Sequence, residues 1–530
     1  MLRSSLAAAF SAVLAAGIAQ SAAAQEAAEQ RLGAVHFETS CNDAAQRRFD
    51  RGMRYQHSFW YRASKEIFED TLKADPDCAI AYWGIALSLL WNPHATPPVK
   101  NLAEGAAALE KAKSIGAKTE RERDYLAALG AMYADYDKVD HRTRLLAYAK
   151  AMEALAARYP NDDEAQIHYA LALNTSASPA DKTYANQLKG AAILEVIAKR
   201  QPLHPGVAHY LIHLYDYPPI ADKGIEAARR YAKIAPDAPH ALHMPSHIFT
   251  RVGYWQESID SNMASGRSAK AAGDFHEQLH AMDYLVYAYL QLGQDKKAGD
   301  VVEAMNAVTG FTETAIAGPY ARAASPARYA VERGDWKAAA ALEVRPSPLP
   351  QVQAMTYFAR AVGAARSGDP AAAKADIAKL GELQDKLVQA KDAYWAVQVD
   401  IQRQIATAWV LYAEGKRDEA LSAMSAAADA EDKTEKHPVT PGVPKPAREF
   451  YAGMLLESGM PKEALVAFEA TLKTEPNRLD AYVGAAKAAE KAGDPAKARE
   501  YYEKVVTVGS DADKTRADVN DARVFLAKKS

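Results

Sequence analysis

The stretch Gly459–Tyr502, GMPKEALVAFEATLKTEPNRLDAYVGAAKAAEKAGDPAKAREYY, decides the fold. Gly459, Ala464 and Phe468 recur 34 positions later as Gly493, Ala498 and Tyr502, and Pro476 closes the first of the two units. Each unit reads as a pair of amphipathic helices: the small residue lets the helices approach, the aromatic fills the space between them, and the proline stops the second helix. One pair cannot bury its own apolar face. Stacked pairs bury it jointly, which predicts a curved solenoid with a concave groove.

These residues resemble the tetratricopeptide repeat family. Phe68 and Pro76 repeat the spacing of Phe468 and Pro476, and Tyr159-Pro160, Ala235-Pro236 and Glu475-Pro476 each end one helical stretch before another, so the resemblance extends over most of residues 45–510. It implies an all-α chain, a right-handed superhelix of helix pairs. The strings DPDCAIAYWGIAL and APHALHMPSHIFTRVGYW are similar to those of an exported bacterial subgroup with a His-rich HMPSHIF-type central segment. That likeness implies an architecture and a groove but no substrate.

Composition excludes several classes. Across 530 residues, 64 basic side chains nearly balance 67 acidic ones, so no global field draws nucleic acid or an anionic membrane. The N-terminus carries Arg3, an apolar run Leu6–Ile18 and small residues Ser21–Ala24, a pattern that predicts a signal peptide over 1–24, with an uncleaved anchor as the alternative. No later apolar run reaches the roughly 20 residues of a membrane span. The mature protein is therefore expected to be periplasmic or secreted. In an oxidising compartment Cys41 and Cys78, the only cysteines, are expected to pair, with metal ligation as the sharper alternative.

The organisation expected is N-terminal helical repeats over 25–200, a His-rich centre over 201–310, further repeats over 311–431, a proline-rich loop over 432–446 and C-terminal repeats over 447–530. Shorter breaks fall at Asn92–Val99 and Arg345–Pro350. The length of the 432–446 loop makes it a candidate lid as well as a linker.

Eight of the 14 histidines lie between His204 and His280. His209 and His213 are four apart, as are His243 and His247, and the two pairs are offset by the same 34-residue step. Residues four apart share a helix face with Cβ atoms about 5–6 Å apart. Counting back from Gly253 places His240, His243 and His247 on the first helix of one repeat; counting from Gly293 puts His280 and Asp283 at matching positions, with His276 a turn earlier. Asp216 continues the face of His209 and His213. His209, His213, His240, His243, His247, His276, His280 and Asp283 are thus candidate ligands, with Asp216, Tyr287 and His437 as substrate-contacting or supporting groups. His204, ahead of a helix start, is the weakest of the eight. His57 reads as packed among aromatics, and His36, His94, His141 and His168 have no partner at helical spacing.

Imidazole-rich sites suit copper, zinc or iron rather than magnesium or calcium. Walker, GxSxG, GxGxxG and HExxH motifs are absent from the sequence. The leading expectation is an exported metalloprotein whose groove carries a His/Asp site, either a metal-dependent hydrolase or oxidoreductase or a metal carrier. The alternative is a scaffold whose groove holds a small molecule, a peptide or a protein partner while the histidines merely line it.

Overall fold

The computed structural model describes residues 31–528, so the signal-peptide segment 1–24 lies outside the described residues. Among the described residues the regular structure is helical throughout, with no strand. No helix there is long and apolar enough to cross a membrane.

Helix starts follow a local code. Gly493 turns the chain at φ 79°, the Asp494 side chain accepts the Lys497 N–H, and Pro495 occupies the first turn, where its missing N–H costs nothing. Gly368, Asp369 and Pro370 repeat the device with φ 90° and a bond from the Ala372 N–H. Thr119 and Glu122 form a reciprocal capping box.

The chain divides into two compact units, one running through Tyr215 and adding Glu226–Met244, the other comprising Asp216–Ile225 and Pro245 onward. Within each, successive helices pack on one another and next-but-one helices touch, the contact pattern of stacked helix pairs. The aromatic read from the repeat works by close approach. A Cβ built at Gly84 would lie 2.6 Å from the Phe68 ring, and one at Gly484 would lie 2.2 Å from the Phe468 ring. The two contacts have the same sequence spacing, so equivalent helix pairs use the same knob against the same bare backbone.

In the N-terminal unit Cys41 and Cys78 form a disulfide, tying the segment before the helix Asp43–His57 to the residue preceding the helix Ala79–Leu89. In the C-terminal unit the fully buried Arg478 donates to Glu332 at 2.5 Å, Glu449 at 2.7 Å and the Tyr287 hydroxyl at 3.0 Å, joining several helices through one guanidinium.

One expectation is corrected. His240, His243 and His247 do not share one unbroken helix: the chain forms the short helices Pro239–His243 and Pro245–Val252. Pro245 has no N–H to continue the ladder, and the division between the two units falls beside it.

Candidate metal centre

The N-terminal unit builds its clearest site on the helix Pro205–Tyr215, in which every residue is buried. His209 and His213 present their Nε2 atoms to each other at 3.1 Å, and His240 on the short helix Pro239–His243 completes a group in which one nitrogen from each ring lies within 4.8 Å of the others. Two nitrogens bound to one tetrahedral ion at about 2.0–2.1 Å lie about 3.3 Å apart. The His209–His213 spacing is close to that value.

The surroundings orient these rings. His209 Nδ1 lies 2.7 Å from the backbone carbonyl oxygen of His57, which can only accept, so Nδ1 carries the proton and Nε2 of the neutral ring keeps its lone pair. Without a metal, His213 must then supply the proton shared between the two Nε2 atoms. Phe59 packs against all three imidazoles, with ring centroids 4.2 Å from His209 and 5.6 Å from both His213 and His240. It does so from φ 55°, a left-handed conformation that costs a bulky side chain about 1–2 kcal/mol. His94 brings its ring to 4.8 Å from His213, and Tyr231 stacks on His209 at 5.0 Å. His243, buried on the same short helix as His240, lies with its ring 6.0 Å from that neighbour.

A second titratable group in this unit surrounds Glu164, in the first turn of the helix Asp163–Ser176. His204 Nε2 donates to Oε1 at 2.8 Å and His57 Nε2 to Oε2 at 3.0 Å, while His168, one turn along the helix, stands 3.7 Å from Oε2. Burial alone would raise the Glu164 carboxyl, but His57 and His204 outweigh it and hold the group well below the usual carboxylate range. Burial, with the His57 ring adding, pushes His168 down to about 3, so this imidazole is neutral at physiological pH.

The C-terminal unit holds the remaining candidates in a different chemical setting. Asp216 sits just past the end of its helix and accepts from His247 Nδ1 at 2.9 Å, Arg251 Nε at 3.0 Å and Lys436 Nζ at 2.7 Å. Burial opposes its ionisation, yet Lys436 and Arg251 hold it well below the ordinary range. With its proton on Nδ1, His247 accepts at Nε2 from the Tyr284 hydroxyl, 3.3 Å away, and its ring lies 6.3 Å from that of His280. Asp283 is bonded to Arg328 and to the Ser325 hydroxyl. Tyr287 is fully buried, receiving Arg478 and donating to Glu475 at 3.3 Å, so packing and ion-pair support occupy it. His276 Nε2 accepts the Thr312 N–H at 3.1 Å. In the 432–446 loop His437 stacks on Trp395 at 5.1 Å, and the residue before it, Lys436, reaches the buried acid instead.

Residues 455–513 match the tetratricopeptide repeat family model. That segment carries tetratricopeptide repeat sequence. Among solved structures it is similar to yeast Tom70, at 13% identity over 91% of this chain and 95% of that one, with a TM-score of 0.29. It is likewise similar to the human IFIT1 dimer with PPP-AAAA, at 11% identity over 89% and 96% of the two chains with a TM-score of 0.36. A third similarity is to the P58(IPK) TPR domain, at 14% identity over 69% and 98% with a TM-score of 0.21. No curated protein matches the chain.

Several groups around these sites escape a reading by helical spacing of histidines alone. Glu164 and His168 are four apart on one helix, a pairing visible only if carboxylates are scanned together with imidazoles. Phe59, His94, Arg251 and Lys436 arrive from turns, loops and other helices, and no local pattern marks them.

Proposed function

We propose that this tetratricopeptide repeat chain is an exported metalloprotein that binds one transition-metal ion through His209, His213 and His240. The observation that carries this reading is the convergence of three imidazole nitrogens within 4.8 Å, two of them on one helix turn. The proton on His209 Nδ1, fixed by the His57 carbonyl, supports it, because a metal-binding imidazole needs its other nitrogen held in this way. Zinc, copper and iron all suit neutral imidazole donors. The Cys41–Cys78 disulfide supports an oxidising compartment such as the periplasm.

Three protein nitrogens leave a coordination position for a small ligand, and an ion there would supply Lewis acidity or, for copper or iron, redox chemistry. The protein contributes orientation: the His57 carbonyl sets the His209 tautomer, and Phe59 packs against all three rings. The proposed occupant of the groove is a small molecule or peptide.

Elemental analysis of the purified, exported chain tests the reading, alongside His213→Ala and His240→Ala. A stoichiometric transition metal that survives a chelator wash and falls to background in both variants is expected. A wild-type protein that stays metal-free after growth with zinc, copper and iron would overturn the metalloprotein and favour the scaffold that binds a peptide without metal.

A further inference from the structure

The Glu164 group pairs a buried carboxylate with imidazoles. A fully buried carboxylate is normally paired with a cationic side chain or a metal. Glu164 is 4% exposed, yet among the described residues no lysine or arginine pairs with it; its partners are the imidazoles of His57, His168 and His204. His168 is 2% exposed, and its Nε2 has no hydrogen-bond partner although it faces the carboxylate. At 3.7 Å the His168 Nε2 to Glu164 Oε2 separation is too long for a hydrogen bond. It is slightly longer than the roughly 3.3–3.6 Å between two donors that share a tetrahedral ion at about 2.0–2.2 Å from each, so a small side-chain adjustment would bring both onto one ion.

We propose that His57 Nε2, His168 Nε2 and Glu164 Oε2 form a second transition-metal site, separate from the three-imidazole group. One ligand atom from each of the three residues lies within 4.8 Å of the other two, and Glu164 Oε2 stands 3.0 Å from His57 Nε2 and 3.7 Å from His168 Nε2. Two imidazoles and one carboxylate with room for further ligands is a donor set suited to Fe(II), Zn(II) or Mn(II).

The surrounding bonds accommodate the ion without stranding a proton. When His57 Nε2 turns from the carboxylate to an ion, the proton of the neutral ring resides on Nδ1, where the Tyr210 hydroxyl oxygen, 3.0 Å away, accepts it. His204 does not need to ligate. Its Nδ1 accepts the Val207 N–H at 3.3 Å, so its Nε2–H remains on Glu164 Oε1 and fixes the carboxylate's orientation. His57 consequently serves both places: its side chain belongs to this site, and its carbonyl orients His209 in the other.

Metal content of the full exported chain, with Co(II) as the spectroscopic probe, decides the proposal. The wild type is expected to bind two equivalents of Co(II), and His168→Asn and Glu164→Gln one each. His213→Ala combined with His240→Ala is expected to retain one equivalent with visible d–d absorption, which disappears when His168→Asn is added. Since Glu164→Gln could unfold the helix stack, circular dichroism accompanies every variant and the His213→Ala/His240→Ala protein carries the decision. A folded His213→Ala/His240→Ala chain that binds no Co(II), or a His168→Asn chain with wild-type content, overturns the second site. One equivalent that survives His213→Ala but not His168→Asn upholds it while removing the three-imidazole reading.

Discussion

His209 Nδ1 lies 2.7 Å from the main-chain carbonyl oxygen of His57, a bond that determines which nitrogen of His209 faces His213. Since a carbonyl cannot donate, the metal-free protein is expected to hold His209 as the Nδ1–H tautomer and His213 as the Nε2–H tautomer. Long-range proton–nitrogen correlation spectra of histidine-labelled protein read this directly. Addition of Zn(II) should move the His213 proton to Nδ1 and leave the His209 tautomer unchanged. An Nε2–H signal from His209 in the apo protein would contradict the arrangement.

The disulfide makes a prediction about the unfolded chain. Cys41 and Cys78 are 37 positions apart, and closing a loop of that size removes freedom mainly from the denatured ensemble. Replacing both cysteines by serine is expected to cost about 2–4 kcal/mol. Denaturant unfolding with and without reductant checks it: reductant should lower the wild-type midpoint toward that of the double variant and leave the variant unmoved.

Repeat geometry predicts opposite outcomes for two glycine substitutions. A Cβ at Gly484 would fall 2.2 Å from the Phe468 ring, so Gly484→Ala should force the ring out of its seat and destabilise by about 1–3 kcal/mol. Gly381 also lies in a helix, Pro370–Gln389, but a Cβ there meets nothing within 4 Å. Gly381→Ala should stabilise by about 0.5–1 kcal/mol through backbone entropy alone. Thermal or denaturant melts of the two variants separate packing from propensity.

What the sequence discloses depends on the range of the contact. Gly459 and Gly493, Phe468 and Tyr502 report the helix pair because each acts within its own repeat, and His209 with His213 is legible because four residues make one helical turn. The 34-residue offset to His243 and His247 misleads for a local reason: Pro245 stands between them and interrupts the helix that the spacing presumes. His57 and Glu164 are 107 positions apart, and Glu164 and His204 are 40 apart, so their meeting is settled by how helices stack. His57 among aromatics therefore reads as packing when it is a hydrogen-bonded partner of a buried acid. The loop 432–446 shows the same limit: its length suggests a lid, but which side chain it delivers is decided by Asp216, 220 positions away from Lys436.

Lys436 carries a pH signature with a definite sign. Its ammonium is buried against Asp216, and burial pushes its pKa from 10.5 down to about 8 despite that partner. Between about pH 8 and 10.5 the unfolded chain still holds the proton that the folded chain has released. Stability from this group therefore rises with pH across that window, because the unfolded state binds more protons. Asp216 acts in the other direction at the acid end: with its pKa depressed in the folded chain, the stability it contributes is present above the ordinary carboxylate value and is lost as pH falls through the depressed one. Lys436→Met removes the alkaline effect while Arg251 still pairs with Asp216. Denaturant unfolding of both proteins at half-unit steps from pH 7 to pH 10.5 should show the wild type gaining on the variant above pH 8. A constant difference across that range would mean that Lys436 titrates like a solvated lysine, and that the loop does not bury it.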